Sequence, residues 1–488
     1  MRSICYILVL LVAVVCGTAT VDSKYGPGFP DLIGRSQKKL VDSKKLQKSI
    51  KLKSLLKHAQ VLEDQAYATP ARNRLTGTAA HNNTIKYIYR TLKALNYYNV
   101  ELQNWGDTIS AGGNGSFVAN GVDQGATHME YGPNGTVTGT LVLANNVGCN
   151  ITDFPAEVEG SIALVRRGSC DFGIKAAYAR AAGAIGAIIF NNIPGGPIGG
   201  ATLGVPPRPE GPYPPTLMIG LEQGEALTAL INSGTNVTGT LDVTSYYSWV
   251  GTHNVIATSK GGDQDNIIFT GAHTDSVVAG PGINDNGSGS VGNLEVAIQL
   301  AKYKVKNAVR FGFWSGEEEG LLGAKYYIKT LPVEEQAKIR LYLNFDMIAS
   351  PNYVYGIYDG DGSAFNLSGP PGSAEAEVLF EKYYTDRDLP SVPSAFTGRS
   401  DYGPFLDVDI ASGGLFTGAE VVKTPEEAAM FGGEAGVAYD VNYHKAGDNM
   451  TNLNKEAFLV NAQAIAHVIA TYARSFESLP PRRRMGKR

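Results

Sequence analysis

Two histidines and four carboxylates stand where short apolar runs give out. His273 closes IIFTGAH, Glu317 and Glu318 follow VRFGFWS, and Asp346 closes LYLNFD. Asp285 lies in the loop after the first run, and His444 in a loop ahead of the last helical stretch. Two imidazoles with several carboxylates suit zinc or a similar divalent ion. A carboxylate shared between two histidine-bearing ions would make a two-metal hydrolytic site. Each residue also has a plainer reading. An acid at a strand end is often a helix cap or a solvated turn, EEE is a surface charge run, and His467 in the apolar final helix is core. Their joint placement carries the metal reading, because open α/β sheets bind ligands outside the carboxyl ends of their strands.

A rival sits in the same region. GSGSVG, from Gly287 to Gly292, is a literal G-x-G-x-x-G, and Glu317 falls near the distance expected of a ribose-binding acid. A dinucleotide fingerprint needs its first glycine at the turn directly after a strand. Here the strand ends near His273 and an Asn-Asp-Asn segment intervenes, so an NAD-dependent dehydrogenase is the weaker reading.

The elements that must position these residues follow from periodicity. From Asn254 onward, NIIFTGAHTD, AVRFGFWS, LYLNFDMI and VDIASGGLF read as strands, and VGNLEVAIQLAKY and FLVNAQAIAHVIATYA as helices. Such alternation predicts an α/β fold with a mostly parallel sheet covered by helices. Upstream, residues Lys38 to Lys57 show a helical pattern with a cationic face, and TIKYIYRTLKALNYYNV from Thr84 a further amphipathic helix. Between about Gly112 and Tyr246 the chain turns rich in Gly, Thr, Val and Pro, with strand-like GTVTGTLVLA and TNVTGTLDVTSY. IALVRRGSCDFGIKAAYARAAGAIGAIIFNN reads as strand, turn, helix, strand, and the Pro/Gly segment from Gly195 to Pro215 as an exposed loop. This stretch is expected to be a β-rich domain inserted between two parts of another.

Composition bounds the rest. The 488 residues, 18% charged with net charge -4, offer no nucleic-acid surface. Arg2 followed by ICYILVLLVAVVC reads as a signal peptide, residues 1–19, and no later segment predicts a membrane span. Delivery to the outside or to a vacuole-like lumen is therefore expected. Once the signal with Cys5 and Cys16 is removed, Cys149 and Cys170 form an even pair in an oxidising compartment, where a disulfide is the default. Glycosylation acceptors are expected at Asn82, Asn114, Asn134, Asn150, Asn236, Asn366 and Asn449.

GAHTDSVVAGPGINDNGSGSVGNLEVA, FWSGEEEGLLGAKYY, NFDMI, GRSDYGPF, GGLFTGAE and YHKAGDNMTN together resemble, in order and spacing, the M28 zinc aminopeptidases. The inserted stretch resembles a protease-associated (PA) domain. The resemblance implies a zinc exopeptidase fold divided as 20–112, a PA domain at 113–246, the main peptidase part at 247–478 and a basic tail at 479–488. It implies two Zn2+ ions, one held by His273 and Asp346, the other by Glu318 and His444, with Asp285 shared and its bond to Asn286 cis. It implies Glu317 as general base, Tyr443 as oxyanion donor, and Asp275 as the group that orients His273. Arg399 is expected at the substrate and Phe416 at an apolar pocket for the first side chain. The substrate amine would meet Glu317 and the outer oxygen of Asp346. Asn286, beside the metals, is expected to carry no glycan. The implied partners are peptides with a free N-terminus, the first residue leucine-like, and the enzyme is expected to be a monomer. A carboxypeptidase or glutaminyl cyclase of the same family is the alternative.

Overall fold

The computed structural model describes residues 38–481. The signal segment 1–19 and residues 482–488 of the basic tail lie outside them. Strands Asn307–Trp314, Asp263–His273, Ile339–Phe345 and Ser412–Phe416 lie side by side in that order, all parallel. Their carboxyl ends therefore share one edge. Side chains alternate between two cores, as a strand demands. Ile268, Val309, Phe311, Leu341 and Leu343 face helices Leu52–Tyr67, Ala79–Ala94, Gly289–Leu300 and Lys455–Tyr472. Ile267, Phe269, Trp314 and Tyr342 face the other way, onto Tyr327 and Phe405. There Phe405 stacks on Tyr342 at 3.6 Å between ring centroids.

The sheet continues through an antiparallel strand, Thr238–Ser259, beside Asn307–Trp314. Strand Tyr98–Ala119 pairs along it, and both are 22 residues long. This ribbon leads into the inserted region, where Gly135–Leu143, Ile162–Arg166, Gly186–Phe190 and Thr216–Ile219 extend the ladder. Helix Phe172–Ala181 covers one face and Leu221–Asn232 the other. The register of the ribbon shifts between Ser110 and Gly113, opposite Tyr247 and Ser245, which is where the composition changes.

Three local expectations need correction. The helical pattern from Lys38 to Lys57 is split into Ser43–Ser49 and Leu52–Tyr67, with Ile50 and Lys51 extended. Ile50 is buried there, so tertiary packing overrides the continuous periodicity. The helix expected from Thr84 spans Ala79–Ala94, and the YNV end of that stretch opens the long strand at Tyr98 instead. The Pro/Gly segment is not simply exposed: Ala201, Leu203 and Tyr213 are buried, and Tyr213 Oη donates to Leu203 O at 2.7 Å.

Candidate metal centre

The carboxyl edge of the sheet gathers the predicted residues. His273 is the last residue of its strand, Asp346 follows Phe345, and Glu317 and Glu318 stand in the turn after Trp314. Asp285 comes from the segment between strand Asp263–His273 and helix Gly289–Leu300, and His444 from the loop before the last helix. Asp285 joins the two halves of the cluster. Its Oδ1 lies 3.3 Å from His273 Nε2, and its Oδ2 lies 3.3 Å from His444 Nε2. Asp346 Oδ1 is 3.5 Å from His273 Nε2, and Glu318 Oε2 is 3.0 Å from His444 Nε2. His273, Asp285 and Asp346 thus form one group of donors, and Asp285, Glu318 and His444 another, with the donor atoms of each within 4.8 Å of one another.

The donors fit divalent cations. His273 Nε2, His444 Nε2, Asp346 Oδ1 and Glu318 Oε1 are all buried without a hydrogen-bond partner among the described residues. Buried polar atoms are almost always satisfied, so orphans converging on two small volumes call for ligands. Burial pushes Glu317 well above the usual carboxylate range, and the charges of Glu318, Asp346 and Asp401 add to it. Burial alone would lower His444, but Glu318 and Asp285 outweigh it and hold the imidazole up at about 10. Cations among these carboxylates would relieve both perturbations. EEE is no surface run: Glu317 and Glu319 are buried, and Glu319 Oε2 accepts from Thr76 Oγ1 at 2.7 Å.

The glycines of GSGSVG pack rather than cradle a phosphate. A side chain at Gly289 would collide with the Phe345 carbonyl oxygen, and one at Gly292 would press on Ile348 and Ile465. They bring the segment after Asp285 against the strand that carries Asp346. The Asp285–Asn286 bond is cis. Asn286 is buried, donating to Phe345 O at 3.0 Å and accepting from Gly289 N at 3.0 Å, so it offers no glycan site.

The surrounding shell departs from expectation in places. Asp275 Oδ1 faces His273 Nδ1 at 3.7 Å, beyond hydrogen-bond length, while its Oδ2 accepts the Glu318 N–H at 3.1 Å. Asp275 therefore fixes the Glu318 backbone as much as the His273 ring. The outer oxygen of Asp346 already accepts from Ser400 Oγ at 2.5 Å, which leaves it one further acceptor site for a substrate amine. Ser400 in turn accepts from Asn344 Nδ2 at 2.8 Å. Arg399 donates through Nη2 to Tyr443 Oη at 3.2 Å. Phe416 is half-buried at its strand end, packed on the cluster of Tyr358, Phe396 and Tyr402.

Sequence reasoning missed several supports. Arg74 is fully buried, donating to the carbonyls of Thr274, Pro281 and Gly282 and so tying down the loop from His273 to Asp285. Asp448 accepts the Asn284 N–H at 2.8 Å and the Asp285 N–H at 2.9 Å. Its only signal was its place in HKAGDN, near His444. Val205, from the Pro/Gly segment, packs on Trp105 and Leu322 beside the Glu317–Glu319 turn. Glu130 of the inserted region is pushed up to about 7 by burial and by Glu318. The disulfide expectation is met, Cys149–Cys170 bridging with Cα atoms 5.9 Å apart. Among the sequons, Asn114, Asn134, Asn150, Asn236 and Asn366 are exposed, whereas Asn82 and Asn449 are half-buried.

Residues 254–469 match peptidase family M28, and residues 137–227 match the PA domain. The probable leucine aminopeptidase 2 of Aspergillus fumigatus is 51% identical over 94% of this chain and 89% of its own length. Leucine aminopeptidase 2 of Arthroderma otae is 49% identical over 97% of this chain and 94% of its own. Among solved structures, an aminopeptidase from Aneurinibacillus sp. strain AM-1 superposes with a TM-score of 0.69 at 25% identity, covering 89% of this chain and 96% of that one. A zinc aminopeptidase from Bacillus subtilis shares the fold, with a TM-score of 0.60 at 24% identity over 87% of this chain and 98% of that one.

Proposed function

The chain belongs to peptidase family M28 and is a zinc aminopeptidase carrying a PA domain; we propose that it holds two zinc ions and releases apolar, leucine-like residues from free peptide N-termini. The observation that carries this reading is Asp285, whose two oxygens face two separate histidines, each with its own further carboxylate. His273 and Asp346 would hold one ion, Glu318 and His444 the other. Bound zinc would polarise the scissile carbonyl and acidify the attacking water.

The chain's own residues supply the rest. Glu317 is placed beside both donor groups without completing either pair, 3.8 Å from His273 Nε2. Its carboxylate takes the proton of the attacking water and returns it to the leaving amine. Glu317 and the Ser400-held outer oxygen of Asp346 are also acceptors for the substrate ammonium. Tyr443 Oη accepts from Arg399 and keeps its own O–H for the developing oxyanion. Ser400 fixes the rotamer of Asp346, and Asp448 that of the Asp285 backbone, which keeps the two groups of donors in register. Phe416 and the GGLFTG segment supply apolar surface for the first side chain. The signal segment supports delivery to a secretory or vacuolar lumen, with glycans on the exposed sequons.

Zinc per chain and hydrolysis of Leu-p-nitroanilide, before and after chelation, test the reading. Two zinc ions per chain are expected, with chelator-sensitive cleavage of the free-amine substrate and none of its N-acetylated form. Equal cleavage of the acetylated compound would remove the aminopeptidase specificity, and one tightly held ion would remove the paired site.

A further inference from the structure

Glu420, just beyond strand Ser412–Phe416, receives two guanidinium groups on one oxygen. Arg399 Nη1 donates to Glu420 Oε1 at 2.9 Å, and Arg167 Nη2 donates to the same atom. The other oxygen, Oε2, is buried with no hydrogen-bond partner among the described residues. Arg399 spends its second terminal nitrogen on Tyr443 Oη, at 3.2 Å. Arg399, Glu420 and Tyr443 belong to the peptidase part. Arg167 does not: it follows strand Ile162–Arg166, inside the residues that match the PA domain.

Arg167 is held before it reaches out. Its backbone N–H donates to Phe190 O at 2.9 Å, and its Nη1 donates to Asn191 Oδ1 at 3.1 Å. Asn191 is anchored in turn, Nδ2 donating to Gly196 O at 3.1 Å. The Arg167 and Glu420 side chains are each only 13% exposed, whereas that of Arg399 is 50% exposed. The rigid, desolvated member of the arginine pair is therefore the one from the inserted domain.

Arginine and carboxylate prefer a two-pronged pairing when both oxygens are available. Freed of Arg167, Glu420 could rotate to present both oxygens to Arg399. That pairing would draw Arg399 Nη2 away from Tyr443. With Arg167 in place, Glu420 Oε1 stays shared and Arg399 keeps one nitrogen for the tyrosine. We propose that Arg167 is a positioning residue through which the PA domain, by way of Glu420 and Arg399, sets the Tyr443 hydroxyl. The proposal rests on the reading of Tyr443 as oxyanion donor.

A double-mutant cycle in the zinc-loaded full protein separates the two. Arg167→Met, Tyr443→Phe and their combination are assayed on Leu-p-nitroanilide for kcat and KM, with zinc content and Tm recorded. Losing an oxyanion donor outright costs ~10²–10³-fold in kcat, and misplacing one is expected to cost about 10-fold. Arg167→Met should therefore lower kcat about 10-fold, with KM within about 2-fold and zinc retained. In the Tyr443→Phe background the same change should alter kcat by less than about 2-fold. A slow Tyr443→Phe enzyme with equal losses from Arg167→Met in both backgrounds would overturn the Arg167 proposal alone, as would an unchanged kcat in Arg167→Met. Full kcat in Tyr443→Phe would overturn the tyrosine's role, and the relay with it. Should Arg167→Met not fold, Arg167→Lys enters the same cycle under the same criteria, because a lysine cannot hold Asn191 and Glu420 with separate nitrogens.

Discussion

In the function proposed here, Glu317 and Glu318 are neighbours in sequence with different tasks. Glu318 Oε2 stands 3.0 Å from His444 Nε2 and completes a donor group with Asp285, whereas Glu317 converges with His273 and Glu318 but belongs to neither group that Asp285 joins. Replacing Glu317 by Gln keeps the shape and leaves the five proposed metal-holding residues untouched, so both zinc ions should remain while kcat falls by ~10²–10⁴-fold, the usual worth of a positioned base. Metal analysis and kcat on one preparation check this, and near-normal turnover with full zinc would remove Glu317 from the chemistry. At this scale the convergence of His273, Asp285, Glu318, Asp346 and His444 was legible in the sequence, because ligand chemistry is restricted to a few side chains. The sequence was silent about Arg74, whose donors go to backbone carbonyls. Nothing in an arginine's identity says which carbonyls the fold will leave needing a proton.

Helix Lys455–Tyr472 shows the same limit one level up. Its apolar repeat marked it as core, and it packs there, but His467 also receives the N-terminal helix. Ser43 Oγ lies 2.7 Å from His467 Nδ1 and Gln47 Nε2 lies 3.2 Å away, and that amide nitrogen can only donate, its oxygen accepting from Arg387. Nδ1 is therefore an acceptor and the ring is neutral. Burial, aided by Arg387, lowers its pKa from 6.5 to about 4. The unfolded chain then binds the proton first as pH falls, so this contact stabilises fully above about pH 6.5 and loses its contribution on the way down to about 4. The contact is expected to weaken by ~1–3 kcal/mol across that window, allowing for partial exposure of the ring. Tm at pH 7.5 and 4.5 for the native chain and His467→Gln tests it: the variant should fall less on acidification, and equal falls would refute the assignment.

For the molecule as a whole, the central question is how an inserted domain stays in register with a site it did not build. Strands Tyr98–Ala119 and Thr238–Ser259 run as one paired ribbon from the peptidase sheet into the PA region, and Val205 and Arg167 reach back across. The arm that carries Arg167 also carries Cys170, bridged to Cys149 over a sequence separation of 21. Lys175, fully buried, donates to the Gly168 carbonyl at 2.7 Å and ties the same turn. Cys170→Ser should destabilise the protein by about 3 kcal/mol in the chain-entropy account, with zinc retained. Calorimetry of the variant against the oxidised native chain measures this, and an unchanged transition would show that the turn needs no crosslink.

The class of fold and the convergence of the acidic and imidazole side chains were legible without the structure. Strand-end His273, Glu318 and Asp346, with loop-borne Asp285 and His444, were readable because a parallel sheet delivers every strand's carboxyl end to one edge. The alternating strands and helices fixed that sheet, since apolar periodicity is a local property. Which polar groups answer one another across long separations came from the packing alone. Ser400 takes the outer oxygen of Asp346, Asp275 turns to the Glu318 backbone, and Arg167 crosses from the inserted domain to Glu420. Hydrogen bonds and ion pairs depend on distances of a few ångströms between residues far apart in the chain, and periodicity carries no record of those distances.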